Sequence, residues 1–426
     1  MPIRRFTRRR FAASLLGLPL VAAAAKPVRV RITDAGALGD GVTVNTAKIQ
    51  AAIDRLATRG GGTLVVPRGV FVSGALFLKP GVHLHLDAGA VLRCSTDMTH
   101  FPPRRTRIEG HFEERFTPAL INADGCDGLR ITGTGTLDGA GRPIWDRFWA
   151  LRNAAPDPHN FPNLGVPRAR LALIEASRDV VVEGITFKDS QFWNLHLYRC
   201  DGVVVRGARF EVPDDYKQAP SSDGIDLDSC RDVLVDGCDF SVTDDCIAAK
   251  GSKGPHALED RSSPPVERIR VRNCLFRRGH QAFSCGSEAT VVRDVRIEDC
   301  RVTGAMNLLM LKLRPDTPQL YEDIHVRNIR LDNDGGRIVL IKPWSQYANL
   351  QGAAPPQSTV RAVTIGGLSG RFGAFGEISP NPGQTSITDI RFEAIDVTLA
   401  DPELSVSGAR DVRFVDVTVN GRKRSG

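Results

Sequence analysis

Val180-Val-Val-Glu-Gly-Ile-Thr-Phe187 decides the fold. Its pattern, apolar-x-apolar-x-x-apolar-x-apolar, returns at Val203 to Phe210, Val233 to Phe240, Ile269 to Phe276, Val295 to Val302 and Ile324 to Leu331. Later copies start at Val363, Ile390 and Val412, and a weaker one at Leu129. From Val180 onward, successive starts lie 22 to 39 residues apart. Each unit is a short strand, a Gly/Asn/Asp bend and a second short strand, with a loop of variable length elsewhere in the turn. Strands recurring at this period, with no helices to cross between them, suit a solenoid in which every coil pairs with its neighbours. The pattern predicts an all-β chain, a single right-handed parallel β-helix. A β-sandwich is the alternative, but the hairpin dipeptides it needs are scarce.

The N-terminal end carries a different signal. Thr7-Arg8-Arg9-Arg10-Phe11 has the twin-arginine form, an apolar run follows from Ala12, and Ala23-Ala24-Ala25 offers a small-residue cleavage site. Residues 1–25 are therefore expected to be a removed export signal, with residues 26–426 as the β-helix catalytic domain in the periplasm or outside the cell. Fourteen apolar or small residues are too few to span a bilayer, so no membrane anchor is expected. The full chain has 56 basic and 49 acidic side chains. The signal holds Arg4, Arg5, Arg8, Arg9 and Arg10, so its loss leaves 51 against 49, a net of +2. Nothing then argues for nucleic acid as a partner.

A solenoid needs its ends covered. Asn45-Thr46 can begin a helix, with Ile49, Ala52, Ile53, Leu56 and Ala57 on one face and Gly60-Gly61-Gly62 as its stop. That is the expected N-terminal cap. The nine cysteines follow the repeat: Cys126, Cys200 and Cys230 sit three residues before a unit, while Cys238, Cys274 and Cys300 share its sixth position. Stacked, buried, reduced thiols are expected. His83 and His85 share one strand face but are assigned no metal. Gly141 to Pro167, with Trp145, Phe148, Trp149, His159 and Phe161, and Trp344 with Tyr347 are aromatic loop insertions, able to face sugar rings or to bury one another.

Chemistry concentrates in Ser221 to Lys250, which carries Asp223/Asp226/Asp228 and Asp244/Asp245 about twenty residues apart. Asp226, Asp228 and Asp236 are read as turn residues. Asp223 and the doublet are read as acid–base groups: one carboxyl protonates a leaving glycosidic oxygen while another activates water. The following coils bring His280, then Lys312 and Arg314. Strand period two should turn Leu309, Leu311 and Leu313 inward and Met310, Lys312 and Arg314 outward. Asp223, Asp244, Asp245, His280 and Lys312 should stack into one polar patch, with a bend at Asp244-Asp245 turning both carboxylates the same way.

These residues resemble the motifs of glycoside hydrolase family 28, the polygalacturonase-like pectin hydrolases. Ser222-Asp-Gly-Ile-Asp226 stands for N-T-D-G-I-D, Thr243-Asp-Asp-Cys246 contains D-D-C, Gly279-His280 opens G-H-G, and Lys312 ends R-I-K. Gly36-Ala-Leu-Gly-Asp-Gly41, Leu120-Ile-Asn-Ala123, Gly133-Thr-Gly-Thr-Leu-Asp-Gly139 and Phe192-Trp-Asn-Leu-His196 extend the likeness. The resemblance implies a pectin-lyase-like solenoid, no metal or cofactor, and hydrolysis with inversion of a pectic polysaccharide or oligosaccharide. By position it implies Asp244 as general acid, Asp223 and Asp245 holding the water, His280 tuning the acid and Lys312 binding a substrate carboxylate. Arg314, Asn194, Gln281 and Glu288 are further substrate-binding candidates. Two departures stand out: Gln281 replaces the second Gly of G-H-G, and Met310 occupies the R-I-K arginine position, a charge Arg314 could supply. A rhamnogalacturonan-type hydrolase with a less acidic subsite, a calcium-using pectate lyase and a non-catalytic carbohydrate-binding β-helix are the alternatives. Exo and endo action both stay open.

Overall fold

The computed structural model describes residues 28–424, so the export signal expected over residues 1–25 lies outside the described residues. The sequence pattern is visible directly as the wall of a right-handed parallel β-helix. In the six copies from Val180 to Leu331, the first, third, sixth and eighth positions are all buried. The residue before the unit and the residue at its fifth position are left-handed in every copy from Val180 on, with φ from +51° to +76°. Those are the two corners at which the chain turns from one sheet into the next. Asp, Asn and Gly fill most of them because they tolerate this conformation best. Thus the bend residues of the repeat set the cross-section, and the apolar positions fill it.

Stacking the coils puts like on like. Phe187, Phe210, Phe240 and Phe276 form a column with ring centroids 4.9, 5.0 and 5.2 Å apart and planes within 13° of parallel. All nine cysteines are buried free thiols. Outside the same wall, Asp201 pairs in register with Arg231, and Glu267 with Arg293. Their ions meet at 2.8 and 2.7 Å.

Helix α1, Thr46–Thr58, caps the N-terminal end and buries Ile49, Ala52, Ile53 and Leu56. A short antiparallel strand, Arg422–Arg424, folds onto Ala409–Val419 at the other end. His83 accepts from the Arg130 backbone (3.2 Å) and His85 meets Thr132 (2.9 Å), so both serve the next coil. The insertion expected as loop contains helix α2, Arg142–Asn153, with Pro143 in its first turn and Ile144, Trp145 and Phe148 buried. Trp145 packs against Tyr216, and Phe148 against Phe161. A hairpin of Arg104–Ile108 and His111–Phe116 forms a separate two-stranded sheet. No helix among the described residues is long and apolar enough to cross a membrane.

Candidate active site

One sheet carries the chemistry. Strands Ile225–Asp228, Ile247–Lys250, Gln281–Cys285 and Asn307–Leu313 pair in parallel, with Ile225, Ile247, Phe283 and Leu309 in one row. Asp223 precedes the first strand, Asp244 and Asp245 the second, and His280 the third, while Lys312 lies on the fourth. All five line one cleft of about 250 Å³.

The bend expected at the doublet is present. Asp245 N donates to Asp244 Oδ1 (3.0 Å), and Thr243 Oγ1 anchors the turn on Ala219 O (2.8 Å). Gly279 passes so close that a Cβ there would lie 2.6 Å from Cys246 Sγ and 3.0 Å from Asp244 O. That close approach brings His280 Nδ1 to 3.3 Å from Asp244 Oδ1. Asp245 Oδ2 accepts from Lys312 Nζ (3.0 Å) and Ser284 Oγ (2.6 Å). The Lys312 ammonium also sits 4.8 Å from the Trp344 ring centroid.

The charges are unevenly shared. Burial, then the neighbouring Asp244 and Asp226, push the Asp223 carboxyl well above the ordinary value. Burial also works to raise Asp244, but His280, Lys312 and Lys250 outweigh it and hold that carboxyl far below the usual range. The same pairing raises His280 to about 9. The cleft thus gathers its positive groups at Asp244 and its acids around Asp223.

The other residues singled out from the sequence divide. Glu288 lines the cleft. Asn194 is buried behind it, and its Nδ2 donates to the backbone oxygens of Ser222 (3.2 Å) and Asp223 (2.9 Å), which positions the strand approach instead of facing a ligand. Gln281 is buried outside the cleft lining with its Oε1 unpartnered. Arg314 needs correction: both arms of its guanidinium bond Asp316 at 2.8 Å, and it also donates to Gln346 O and Tyr347 O. It holds a loop and leaves no charge to replace the arginine missing at the buried Met310. Asp226 and Asp228 need correction too, because both are buried on a strand rather than in turns. Asp236 is also on a strand, as the last residue of Arg231–Asp236 before the Gly237 corner, paired to Arg272 (3.1 Å).

Sequence reasoning missed Lys250, whose ammonium lies 3.5 Å from Asp223 Oδ2, 3.5 Å from Asp226 Oδ1 and 3.4 Å from Glu288 Oε2. Its signal was a lone cation ending the apolar run Ile247-Ala-Ala. Also missed were Glu109 from the hairpin and Trp193, over which Lys250 sits at 4.6 Å. Asp244, Asp245 and His280 bring ligand atoms within 4.8 Å of one another, a spacing that could hold a metal ion. Lys312 already occupies one of those carboxylates, at Asp245 Oδ2.

Comparison with known proteins settles the family. The model for "Glycosyl hydrolases family 28" matches residues 62–420. The chain belongs to glycosyl hydrolases family 28. It is therefore a hydrolase of glycosidic bonds. Family 28 relatives include a "Probable polygalacturonase" of Vitis vinifera, 26% identical over 70% of this chain and 60% of that protein, so the match spans well under the relative's full length. An "Exopolygalacturonase" of Zea mays is 24% identical over 80% of this chain and 76% of its own. Among solved structures, a hyperthermoactive exopolygalacturonase from Thermotoga maritima superposes with a TM-score of 0.73 at 24% identity, covering 93% of this chain and 94% of that one. A family 28 exopolygalacturonase of Yersinia enterocolitica gives 0.68 at 22% identity, covering 91% and 79%. At these identities the structures establish the fold.

Proposed function

We propose that this family 28 hydrolase removes sugar units from the ends of polygalacturonate-type pectic chains, inverting the anomeric carbon. The observation that carries the exo reading is a cleft walled by insertions that bond to one another. Its walls come from three insertions: the hairpin (Glu109), the α2 segment (Trp149, Arg152, Asn163) and the loop with Trp344, Gln346 and Tyr347. The insertions are tied to one another, Tyr347 Oη donating to Phe161 O (3.0 Å) and Asn163 Nδ2 to Glu109 Oε1 (2.9 Å). A groove bridged in this way admits a chain end more readily than the middle of a polymer. Relatives named as exopolygalacturonases support the same reading.

In the reaction, Asp244 gives its proton to the leaving oxygen while Asp223, with Asp245, takes one from the attacking water. In the free protein His280 and Lys312 stabilise the Asp244 carboxylate against its burial. A uronate carboxylate arriving at Lys312 neutralises that positive field and lets Asp244 take up the proton. An anionic sugar thus helps to set the charge state that cleaves it. Export through a twin-arginine signal at residues 1–25 belongs to the same reading, supported by Arg8-Arg9 and the apolar run behind them.

The test is a digest of homogalacturonan followed by product size and viscosity. Early release of short saturated products with viscosity nearly constant is expected. Rapid viscosity loss would contradict exo action, unsaturated products absorbing in the near ultraviolet would indicate a lyase, and cleavage of rhamnogalacturonan alone would overturn the substrate.

A further inference from the structure

We propose that Lys250 is a positioning residue for the reaction: clamped between Asp226 and Glu288, its ammonium aims Asp223 and opposes the acids around it, so that Asp223 can take the proton from water. The inference rests on the reading of Asp223 as the water-activating group.

Lys250 is buried and reaches three carboxylates at 3.4–3.5 Å, with the Trp193 ring closing its remaining side. None of these three contacts is a made hydrogen bond. Both oxygens of Asp226, and Oε2 of Glu288, are buried without a hydrogen-bond partner. A merely structural buried pair is expected to satisfy those atoms, since each unmade bond is costly. Here one cation is shared among three acids, and of the three Asp223 lines the cleft together with the doublet that completes the chemistry.

Every group around Asp223 bears on its charge. Asp244, Asp226 and Asp245 push it toward the protonated form, and Lys250 opposes them. Arg168, clamped between the Phe148 and Phe192 rings, adds a more distant positive charge. Lys250 in turn feels Glu288, Asp223, Asp226 and Asp245. Asp226 keeps its proton up to about 8, burial being the largest cause, which leaves more of the Lys250 charge for Asp223. Glu288 is held ionised by Lys250 and Lys253 against its burial, and fixes the ammonium in place.

The water oxygen bonds to the anomeric carbon and its proton passes to the Asp223 carboxylate. The glycosidic C–O bond breaks with its electron pair on the leaving oxygen, which takes the Asp244 proton. A base that is already protonated cannot take part.

The acidic limb of the kcat/KM profile reports the free enzyme's base. An opposite charge within ~4–6 Å lowers a carboxyl by about 1–3 pH units, so removing Lys250 should move the limb up by about that much. Lys250→Met leaves three buried acids without a cation, so the decisive comparison is Lys250→Met/Glu288→Gln against Glu288→Gln, in which one charge of each sign is gone. The expected result is a limb raised by at least about one pH unit in the double variant. Lys250→Arg, which keeps the charge, should leave the limb near its original place. A limb unmoved in the double variant, or moved equally by Lys250→Arg, overturns the proposal. Loss of the fold in the double variant while Glu288→Gln and Lys250→Arg stay folded assigns Lys250 to stability and overturns it as well. Should Asp223→Asn keep its activity, the fault lies with the role given to Asp223 instead.

Discussion

Asp228 and Asp226 sit two residues apart on one strand, both buried, yet they live in opposite surroundings. Asp228 accepts from Arg107 Nε (3.1 Å) on one oxygen and from Ser229 Oγ (2.8 Å) on the other, with His196 Nε2 at 3.5 Å. Burial works to raise it, but His196, Arg107 and Ser229 bring it below the ordinary value. His196 is itself lowered to about 4, chiefly by burial, and its Nδ1 meets Arg170 at 2.7 Å. Asp226 faces the cleft side, shares one ammonium with two other acids, and is raised to about 8. A buried carboxylate with every partner supplied is architecture: through Arg107, Asp228 ties the hairpin to the solenoid. Buried carboxylates with too few cations between them are where protons can be moved.

This contrast is sharpened most strongly by activity. Asp223→Asn or Asp244→Asn should lose nearly all hydrolysis, about a thousandfold or more if the pair supplies ordinary acid–base catalysis, while the fold survives. Retention of more than about a tenth of the rate in either variant would break the assignment. On the architectural side, Arg107→Met strands the buried Asp228 and should cost about 3–5 kcal/mol in denaturant unfolding at neutral pH. Because the Asp228 carboxyl is lowered in the fold, its contribution is present above the unfolded value and is lost as pH falls through the folded one, so that cost should shrink in acid.

A smaller effect of the opposite sign is expected at Asp226. Its raised carboxyl makes the folded state hold a proton to higher pH, so stability drains away as pH climbs from the unfolded value toward about 8. Asp226→Asn should therefore match the parent protein near pH ~4 and exceed its stability progressively as pH rises to ~8. Equal stability of the two proteins across that range would erase the distinction between the two regions.

Much of this was legible in the sequence because the repeat is written in pairs of facts. Apolar positions at one, three, six and eight give the filling, and the residues at the bends give the corners. Asp223, Asp244, Asp245, His280 and Lys312 could be placed together because each has a fixed offset from its strand. Misreadings came where offsets were ignored or absent. Ile225-Asp-Leu-Asp228 alternates as a strand should, so Asp226 and Asp228 belonged on its outer face. Ile144, Trp145 and Phe148 already had helical spacing after Pro143, but the surrounding prolines suggested loop. Arg314 lay beyond the end of its strand, where period two no longer decides direction. Arg107 comes from a hairpin more than a hundred residues before the Asp228 it meets, Glu109 of the same hairpin reaches Asn163 at the cleft wall, and no local pattern encodes that approach.

The most direct measurement is the anomeric configuration of the first product released, followed by proton NMR before mutarotation. Asp244 as acid, with Asp223 and Asp245 holding water on the opposite face, predicts a configuration inverted from that of the cleaved linkage. A first-formed product that retains the configuration would mean a covalent sugar intermediate, and would contradict the account.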